Sequence, residues 1–328
     1  MNPSPRIVVI GGGTGSFTIL SGLKSHTRNI TAIVNMVDDG GSTGILRDEF
    51  GVLPPGDIRQ CLVALSESTD SMRDLFNYRF GGETFGGHSF GNLFLAVLEK
   101  TTGSFAEGVK TASRVLNIVG QVVPVTLEDC KLILTRADGS RIKGQYAIES
   151  TGVWIDSPSL SLEPNAELNP VARAAVLAAD LIVISPGNLY TSLIPTLLTR
   201  GLKSTLGETS APIVYISNLV TKPGQTDGFK VHDFAREILR YSGRLDAVIY
   251  NQRAPSKSLL EKYAHDGEFG VAFDKLVLSS EPYESIGANL VSDNIAPHNQ
   301  ANSLIPRTLI RHDGEVLARL IMDYASKK

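Results

Sequence analysis

The sequence has few cysteines and no long apolar run, and each scarcity excludes a class of protein. Only two cysteines occur among the 328 residues, Cys61 and Cys130, and they form neither a CxxC motif nor a disulfide framework. No apolar stretch approaches the roughly 20 residues that a transmembrane helix needs. The N-terminus lacks the basic region and the long apolar region of a signal peptide. We therefore expect a soluble, cytoplasmic protein without a membrane span.

The chain also lacks an excess of positive charge. Its 31 Lys and Arg residues stand against 34 Asp and Glu residues, which gives a formal net charge of -3. A general nucleic-acid binder normally has a strong basic excess, so we expect no nucleic-acid partner. Any anionic ligand must then be held by local groups. With 42% hydrophobic residues, the chain can bury a large core.

Strand-like and helix-like segments alternate along most of the chain, which is typical of βαβ units and a parallel sheet. Buried apolar runs predict strands at residues 6–10, 30–37, 181–185, 212–217 and 246–250. Helical spacing of apolar residues predicts helices at 16–24, 57–66, 90–100, 104–117, 170–179, 191–200, 231–241 and 315–324. The predicted fold class is α/β, a modified Rossmann-like, doubly wound and mainly parallel sheet.

A different pattern occupies the middle of the chain. Residues 130–135 and 141–148 alternate between apolar and polar side chains. They flank the Asp138-Gly139 dipeptide, which suits a tight hairpin turn. We therefore predict a single domain spanning residues 1–328, with a small antiparallel β insert at about 120–165.

The first candidate binding motif follows the first predicted strand and precedes a helix. It consists of Gly11, Gly12, Gly13, Thr14 and Gly15. Glycines let the backbone approach a pyrophosphate, and the helix N-terminus offers unpaired N–H groups to the anion. The run is neither a strict GxGxxG motif nor a P-loop. It predicts phosphate binding, with a purely structural turn as the alternative.

An acidic run follows the second predicted strand: Asp38, Asp39, Gly40, Gly41 and Ser42. An acidic residue at this place could accept hydrogen bonds from ribose hydroxyls. Asp38 and Asp39 could instead bind Mg²⁺ with the help of ligand phosphate oxygens, since that ion prefers oxygen donors. A third interpretation is a solvated turn in which one aspartate caps the glycine loop. Magnesium is the one cofactor candidate.

Two further helix starts have residues suited to ligand binding. Asp57 could cap its helix, while the charge of Arg59 in the first turn opposes the helix dipole unless an anion lies nearby. His88 and Asn92 surround the start of another helix. A catalytic or base-contacting role is one interpretation of His88, and capping or packing is the other.

Polar residues also follow the predicted strands at 181–185 and 212–217. The strand at 181–185 is followed by Gly187, Asn188, Tyr190, Thr191 and Ser192. Their amide and hydroxyl groups can donate to phosphate or sugar, and Tyr190 could stack on a base or simply pack. After the second strand, Asn218 and Lys222 lie in a loop that either covers the ligand or faces solvent. Because parallel strands end at one edge, we expect these motifs to form one cleft.

Together the motifs resemble one known family. GGGTG at 11–15, DDGGSTG at 38–44, LRDEFGVLPPGDIRQCLVALS at 46–66, YRF at 78–80, GHSFGNL at 87–93, PGNLYTSLIPTLL at 186–198 and SNLVTKPGQTDGF at 217–229 are similar in order and spacing to the YvcK family of the CofD-like superfamily. The resemblance implies a modified Rossmann fold and a bacterial cytosolic protein that binds UDP-sugars such as UDP-N-acetylglucosamine. It also implies a gluconeogenesis factor that supports cell shape and cell-wall synthesis on gluconeogenic carbon sources.

Three functions remain open at this point. We expect a regulator that binds a UDP-sugar or other nucleotide and is sensed by an unidentified protein partner. The alternative is a Mg-dependent, CofD-like phospho-transferase acting on a nucleotide diphosphate substrate. A nicotinamide-dependent oxidoreductase is suggested by the first βαβ unit alone, and fold alone does not give function. The size and composition of the chain are compatible with a homodimer.

Overall fold

The computed structural model describes residues 4–82, 84–151, 158–292 and 310–327. The strands within these residues are β1 (Ile7–Gly11), β2 (Ile30–Val34), β3 (Gln121–Pro124), β4 (Lys131–Thr135), β5 (Arg141–Lys143), β6 (Ser159–Glu163), β7 (Leu181–Ile184), β8 (Ile213–Ile216), β9 (Ala247–Asn251) and β10 (Glu284–Ala288). The helices are α1 (Gly13–Leu23), α2 (Gly41–Phe50), α3 (Gly56–Leu65), α4 (Asp70–Asn77), α5 (Phe90–Thr102), α6 (Phe105–Val115), α7 (Gln145–Thr151), α8 (Pro170–Ala178), α9 (Ile194–Leu197), α10 (Leu202–Glu208), α11 (Val231–Ser242), α12 (Lys257–His265), α13 (Lys275–Ser280) and α14 (Gly314–Ser326). None of the helices in these ranges is long and apolar enough to cross a bilayer.

The main sheet has seven parallel strands in the order β3-β2-β1-β7-β8-β9-β10. Every residue of β1, β7 and β8 is buried, as expected when helices cover both faces of a parallel sheet. The chain extends the sheet from β1 through β2 to β3, then returns to the other side of β1 with β7. Ligands of such sheets bind beside this reversal, at the carboxyl ends of the strands. The predicted α/β, Rossmann-like fold class is confirmed.

A second, three-stranded antiparallel sheet has the order β5-β4-β6. The predicted hairpin is confirmed, and Gly139 in its turn has a left-handed φ of 82°. The predicted insert at 120–165 begins too early, because β3 pairs with β2 in the main sheet. Residues 152–157 of that range lie outside the described residues.

The strand predicted at 141–148 is wrong in its second half, where α7 begins. Both side-chain oxygens of Asp39 accept backbone hydrogen bonds at the start of this helix, from Gln145 N at 3.1 Å and Tyr146 N at 2.8 Å. The helix therefore starts where a carboxylate from the loop after β2 satisfies amides that an isolated helix leaves unpaired. This contact anchors the insert to the main sheet.

Replacing Asp39 by alanine should destabilise the protein by about 1–2 kcal/mol, because it removes the cap of α7. Urea unfolding would measure the change. Asp138→Ala is the matched control, since Asp138 accepts a backbone hydrogen bond from Ser140 in the exposed hairpin turn. A smaller loss for Asp39→Ala than for Asp138→Ala would contradict the capping role.

The helix predicted at 191–200 is confirmed only in part. The chain forms a π-helical turn at Leu189–Leu193, in which Leu193 N donates to Asn188 O at 3.0 Å, and then the short helix α9. Pro195 has no N–H to offer to the carbonyl four residues earlier, which favours a local change of helical spacing. The π-helical turn directly follows the loop after β7, at the expected ligand edge.

Candidate functional site

A cleft of about 350 Å³ lies at the carboxyl edge of the sheet, between the loops that follow β1 and β7. We call it the switch-point cleft. The loop after β8 and the segment before α14 complete its walls. Its lining residues are Gly12, Gly13, Thr14, Gly15, Thr18, Pro186, Gly187, Asn188, Leu189, Ser192, Asn218, Leu219, Val220, Thr221, Lys222, Thr226, Glu268, Ile310, Arg311 and His312.

The glycine run forms the first wall of this cleft. Gly12 precedes α1 in an extended conformation and provides no side-chain cap, so the first-turn amides of the helix line the cleft. Gly13 has a left-handed φ of 61°. A Cβ on Gly15 would lie 1.8 Å from the carbonyl oxygen of Pro186, so only glycine allows the two walls to approach this closely. The predicted arrangement of strand, glycine turn and helix is present.

The second wall is held by an acidic side chain from the insert. Oε1 of Glu149, on α7, accepts hydrogen bonds from Asn188 Nδ2 and, at 2.7 Å, from Thr191 Oγ1. Asn188 lines the cleft, whereas Thr191 is fully buried behind it. Tyr190 packs against the hydrophobic core and does not line the cleft, which fits the packing interpretation of this residue.

Asn218 connects the two loops that follow β7 and β8. Its Oδ1 accepts from Gly187 N at 3.3 Å, and its Nδ2 donates to Gly187 O at 2.8 Å. Lys222 lines the cleft, and its Nζ lies 3.9 Å from Oε1 of Glu268. Burial raises the pKa of Glu268, while the charge of Lys222 partly opposes this shift. Both predicted loop residues therefore border the cleft.

Three ionisable lining residues were missed by the sequence analysis: Glu268, Arg311 and His312. None of them directly follows a predicted strand, and they reach the cleft from the far C-terminal part of the chain. Nε2 of His312 lies 3.2 Å from the carbonyl oxygen of Ser217. Burial lowers the pKa of His312 to about 4, so its imidazole is neutral at neutral pH.

Two carboxyl groups lie behind the glycine wall. Asp57, in the first turn of α3, accepts a hydrogen bond from Gly13 N at 3.0 Å. Burial raises the pKa of Asp57 to about 7, and the nearby charge of Asp38 adds to this increase. Burial also raises the pKa of Asp38, whose Oδ1 accepts from Gly40 N at 3.2 Å. The two carboxyl groups therefore interact through their charges.

This pair fits Mg²⁺ better than the predicted pair of Asp38 and Asp39. Both oxygens of Asp39 are engaged at the start of α7. Within the described ranges, no cluster of three or more His, Cys, Asp or Glu side chains is arranged to hold a metal. Mg²⁺ often uses one or two carboxylates and completes its shell with water and ligand phosphate oxygens. Asp38 and Asp57 could hold the ion in that way.

Six of the remaining predicted residues line a second cavity of about 410 Å³, whereas Gly11, Asp39, Asp57 and His88 line neither cavity. We call it the arginine cavity, after Arg59 and Arg79. Its lining residues are Asp38, Gly40, Gly41, Ser42, Thr43, Ile45, Gly56, Arg59, Gln60, Arg79, Gly86, Gly87 and Asn92. None of them lines the switch-point cleft. The residues predicted to form one cleft are thus distributed over two cavities.

A buried polar network supports one wall of the arginine cavity. Arg59 Nε donates to Asn92 Oδ1 at 3.0 Å, and Asn92 Nδ2 donates to Ser42 Oγ at 3.1 Å. Ser42 Oγ also lies 3.0 Å from His88 Nδ1. His88 itself does not line the cavity, so its described role is to support Ser42.

Comparison with known proteins agrees with this fold and these motifs. The family model described as 2-phospho-L-lactate transferase CofD matches residues 7–296. A protein of a Nostoc species, named as a candidate gluconeogenesis factor, is 41% identical over 324 residues, which cover 98% of this chain and 68% of the relative. The protein named gluconeogenesis factor in Bacillus subtilis is 35% identical over 98% of this chain and 99% of its own length.

A solved structure shows the same architecture. The crystal structure of a protein from Bacillus halodurans superposes with a TM-score of 0.88 at 34% identity. The match covers 97% of this chain and 99% of that chain. The chain therefore belongs to the CofD family and, within it, to the YvcK branch of gluconeogenesis factors.

Proposed function

We propose that the switch-point cleft binds the diphosphate of a nucleotide sugar such as UDP-N-acetylglucosamine. One observation supports this proposal above the others: the N-terminus of α1, where Gly12 has no side chain to cap the helix, lies with the Gly187-Asn188 turn in one cleft at the strand reversal. Amides at a helix start favour phosphate groups, and open α/β sheets bind ligands at this place.

The charges around the cleft suit a bound diphosphate. Lys222 and Arg311 also line it, and their positive charges suit phosphate oxygens. Asn188 and Ser192 offer neutral polar groups for a sugar. With a pKa of about 7, Asp57 is partly protonated at neutral pH, which reduces its repulsion of an anion.

The proposed role is that of a regulator. Relatives named gluconeogenesis factor support an expected role in growth on gluconeogenic carbon sources. The support of cell shape and of cell-wall synthesis that the family resemblance implies belongs to the same proposal. A bound ligand can change what a partner protein senses only if it prefers one conformation of the chain. The partner, a homodimer and a cytoplasmic location all remain predictions.

A second function, that of a CofD-like phospho-transferase, is favoured by the carboxyl pair of Asp38 and Asp57. The pair adjoins the glycine wall, because Asp57 accepts a hydrogen bond from Gly13 N. Bound Mg²⁺ would neutralise charge on a diphosphate during transfer. The chain itself would orient the diphosphate through the amides of α1 and hold the two carboxyl groups in place.

The test is calorimetric titration of the purified protein with UDP-N-acetylglucosamine, UDP, GDP and NAD, with and without Mg²⁺. The nucleotide is then recovered and analysed. Tight binding of the UDP-sugar, returned unchanged, is the expected result for a regulator. Metal-dependent consumption of a nucleotide diphosphate would favour the transferase, and failure to bind any UDP compound would contradict the proposal.

A further inference from the structure

We propose that the arginine cavity is a separate binding site for an oxyanion, either inorganic phosphate or the phosphate group of a monoester. The cavity shares no lining residue with the switch-point cleft. This inference rests on charges and cavity shape, and it stands whether or not the cleft binds a nucleotide sugar.

The first argument is the burial of Arg59. Its side chain is 6% exposed, and its hydrogen-bond partners are the neutral amides of Asn92 and Asn77. Within the described ranges, Arg59 forms no ion pair, and the charge of Asp57 acts on it only from a longer distance. Burying a guanidinium is costly unless an anion compensates it. An oxyanion in the adjoining cavity would provide that compensation.

A second guanidinium faces the same space. Arg79 lines the cavity, and its NH1 group donates to Gly87 O at 2.8 Å. Burial lowers the pKa of Arg59 to about 10, and the positive charge of Arg79 contributes to this decrease. The two like charges therefore repel each other. An anion bound between them would be attracted by both, and planar guanidinium groups suit phosphate oxygens.

The third argument comes from α2, a helix of ten residues whose start lines the cavity. Its N-cap, Gly40, provides no side-chain cap. Gly41 has a φ of 46°, and a Cβ added there would meet no atom within 4 Å, so space remains in front of the helix. The amides and the dipole at this end favour an anion. Two arginines and one helix start thus converge on one cavity.

One carboxyl group opposes these charges. Among the described residues, Asp38 is the single acidic residue in the lining. Its one negative charge stands against the positive charges of Arg59 and Arg79, so these three side chains together carry a net positive charge. The polar groups of Ser42, Thr43 and Gln60 can also contact phosphate oxygens.

The experiment is a calorimetric titration with two probes, inorganic phosphate and glycerol phosphate, in the absence of nucleotide. We expect both to bind the wild-type protein, with tighter binding of glycerol phosphate if the natural ligand is a monoester. Arg79→Gln should weaken binding at least about tenfold, because it removes a charged donor. Arg79 is half-buried and is not part of the switch-point cleft, so this variant should fold.

Two further variants complete the test. Arg114→Gln removes one positive charge from an exposed position on α6 and should leave phosphate affinity unchanged. Arg59→Gln should lose binding, with circular dichroism reporting whether it folds. Undiminished affinity in Arg79→Gln, an equal loss of affinity in Arg79→Gln and Arg114→Gln, or no phosphate binding by the wild-type protein at millimolar concentration would overturn the inference.

Discussion

Replacing Gly13 by alanine is expected to weaken UDP-sugar binding in the switch-point cleft at least tenfold. Gly13 starts α1 and lines the cleft. Its added Cβ would meet no protein atom closer than Asp57 Oδ1, at 3.8 Å, so it would instead occupy space that a phosphate needs. Tenfold corresponds to about 1.4 kcal/mol. Calorimetric titration would measure the loss.

The left-handed φ of Gly13 requires a control, because alanine in that conformation costs roughly 1–2 kcal/mol in stability at any site. Gly139→Ala is matched to it. Gly139 also has a left-handed φ, 82°, and an added Cβ meets no atom within 4 Å. Both variants should lose similar stability, but Gly139→Ala should bind ligand like the wild-type protein. Equal affinities in the two variants would count against a phosphate at the glycine wall.

The largest pH effect is expected from Asp57. Its pKa is about 7 in the folded protein, against an ordinary value of 3.8. Between these values the folded state binds more protons than the unfolded state, so stability falls as pH rises through this range. The stability that protonated Asp57 contributes is fully present below about pH 4 and is lost above about pH 7. On the scale of 1.36 kcal/mol per pKa unit, it amounts to a few kcal/mol.

Asp57→Asn should remove this loss of stability. Urea unfolding at several pH values between 4 and 8 would show a flatter profile than that of the wild-type protein. Asp138→Asn is the control, because hydrogen bonds from Ser140 hold the pKa of Asp138 below its ordinary value. That variant should keep the wild-type slope above pH 4. If the unfolding free energy of Asp57→Asn changed with pH as steeply as that of the wild-type protein, a group other than Asp57 would cause the change.

The same carboxyl group links pH to ligand binding. Without metal, affinity for a diphosphate should fall between pH 6 and pH 8 as Asp57 ionises beside Gly13 N. Mg²⁺ should restore affinity in the wild-type protein and have a weaker effect in Asp57→Asn. A metal response that survives unchanged in the variant would exclude Asp57 as a ligand of the ion.

Local patterns were sufficient to predict most of the fold. The buried apolar runs of β1, β7 and β8 and the glycines after β1 are signals within a few neighbouring residues. The start of α7 was not predictable in this way, since its cap comes from Asp39, more than 100 residues earlier. Helix and strand patterns cannot show a tertiary hydrogen bond of that kind.

The site was predicted less completely, for a similar reason. The loops after β1, β7 and β8 were placed correctly because parallel strands end at one edge of the sheet. The sequence did not show that Asp38, Arg59 and Asn92 line a second cavity rather than this cleft. Glu149, Glu268 and Arg311 contribute to the cleft and its walls from segments that do not directly follow a strand of the predicted parallel sheet. Their proximity follows from the packing of distant elements alone.

The central position of β1 has a consequence for biosynthesis. β1 leaves the ribosome before both of its neighbours in the sheet, and β2 follows within about 25 residues. Its other neighbour, β7, appears about 170 residues later. At translation rates of roughly 5–20 residues per second, one edge of this fully apolar strand waits on the order of ten to thirty seconds for its partner. During that interval the nascent chain presents an aggregation-prone edge that a ribosome-associated chaperone would need to shield.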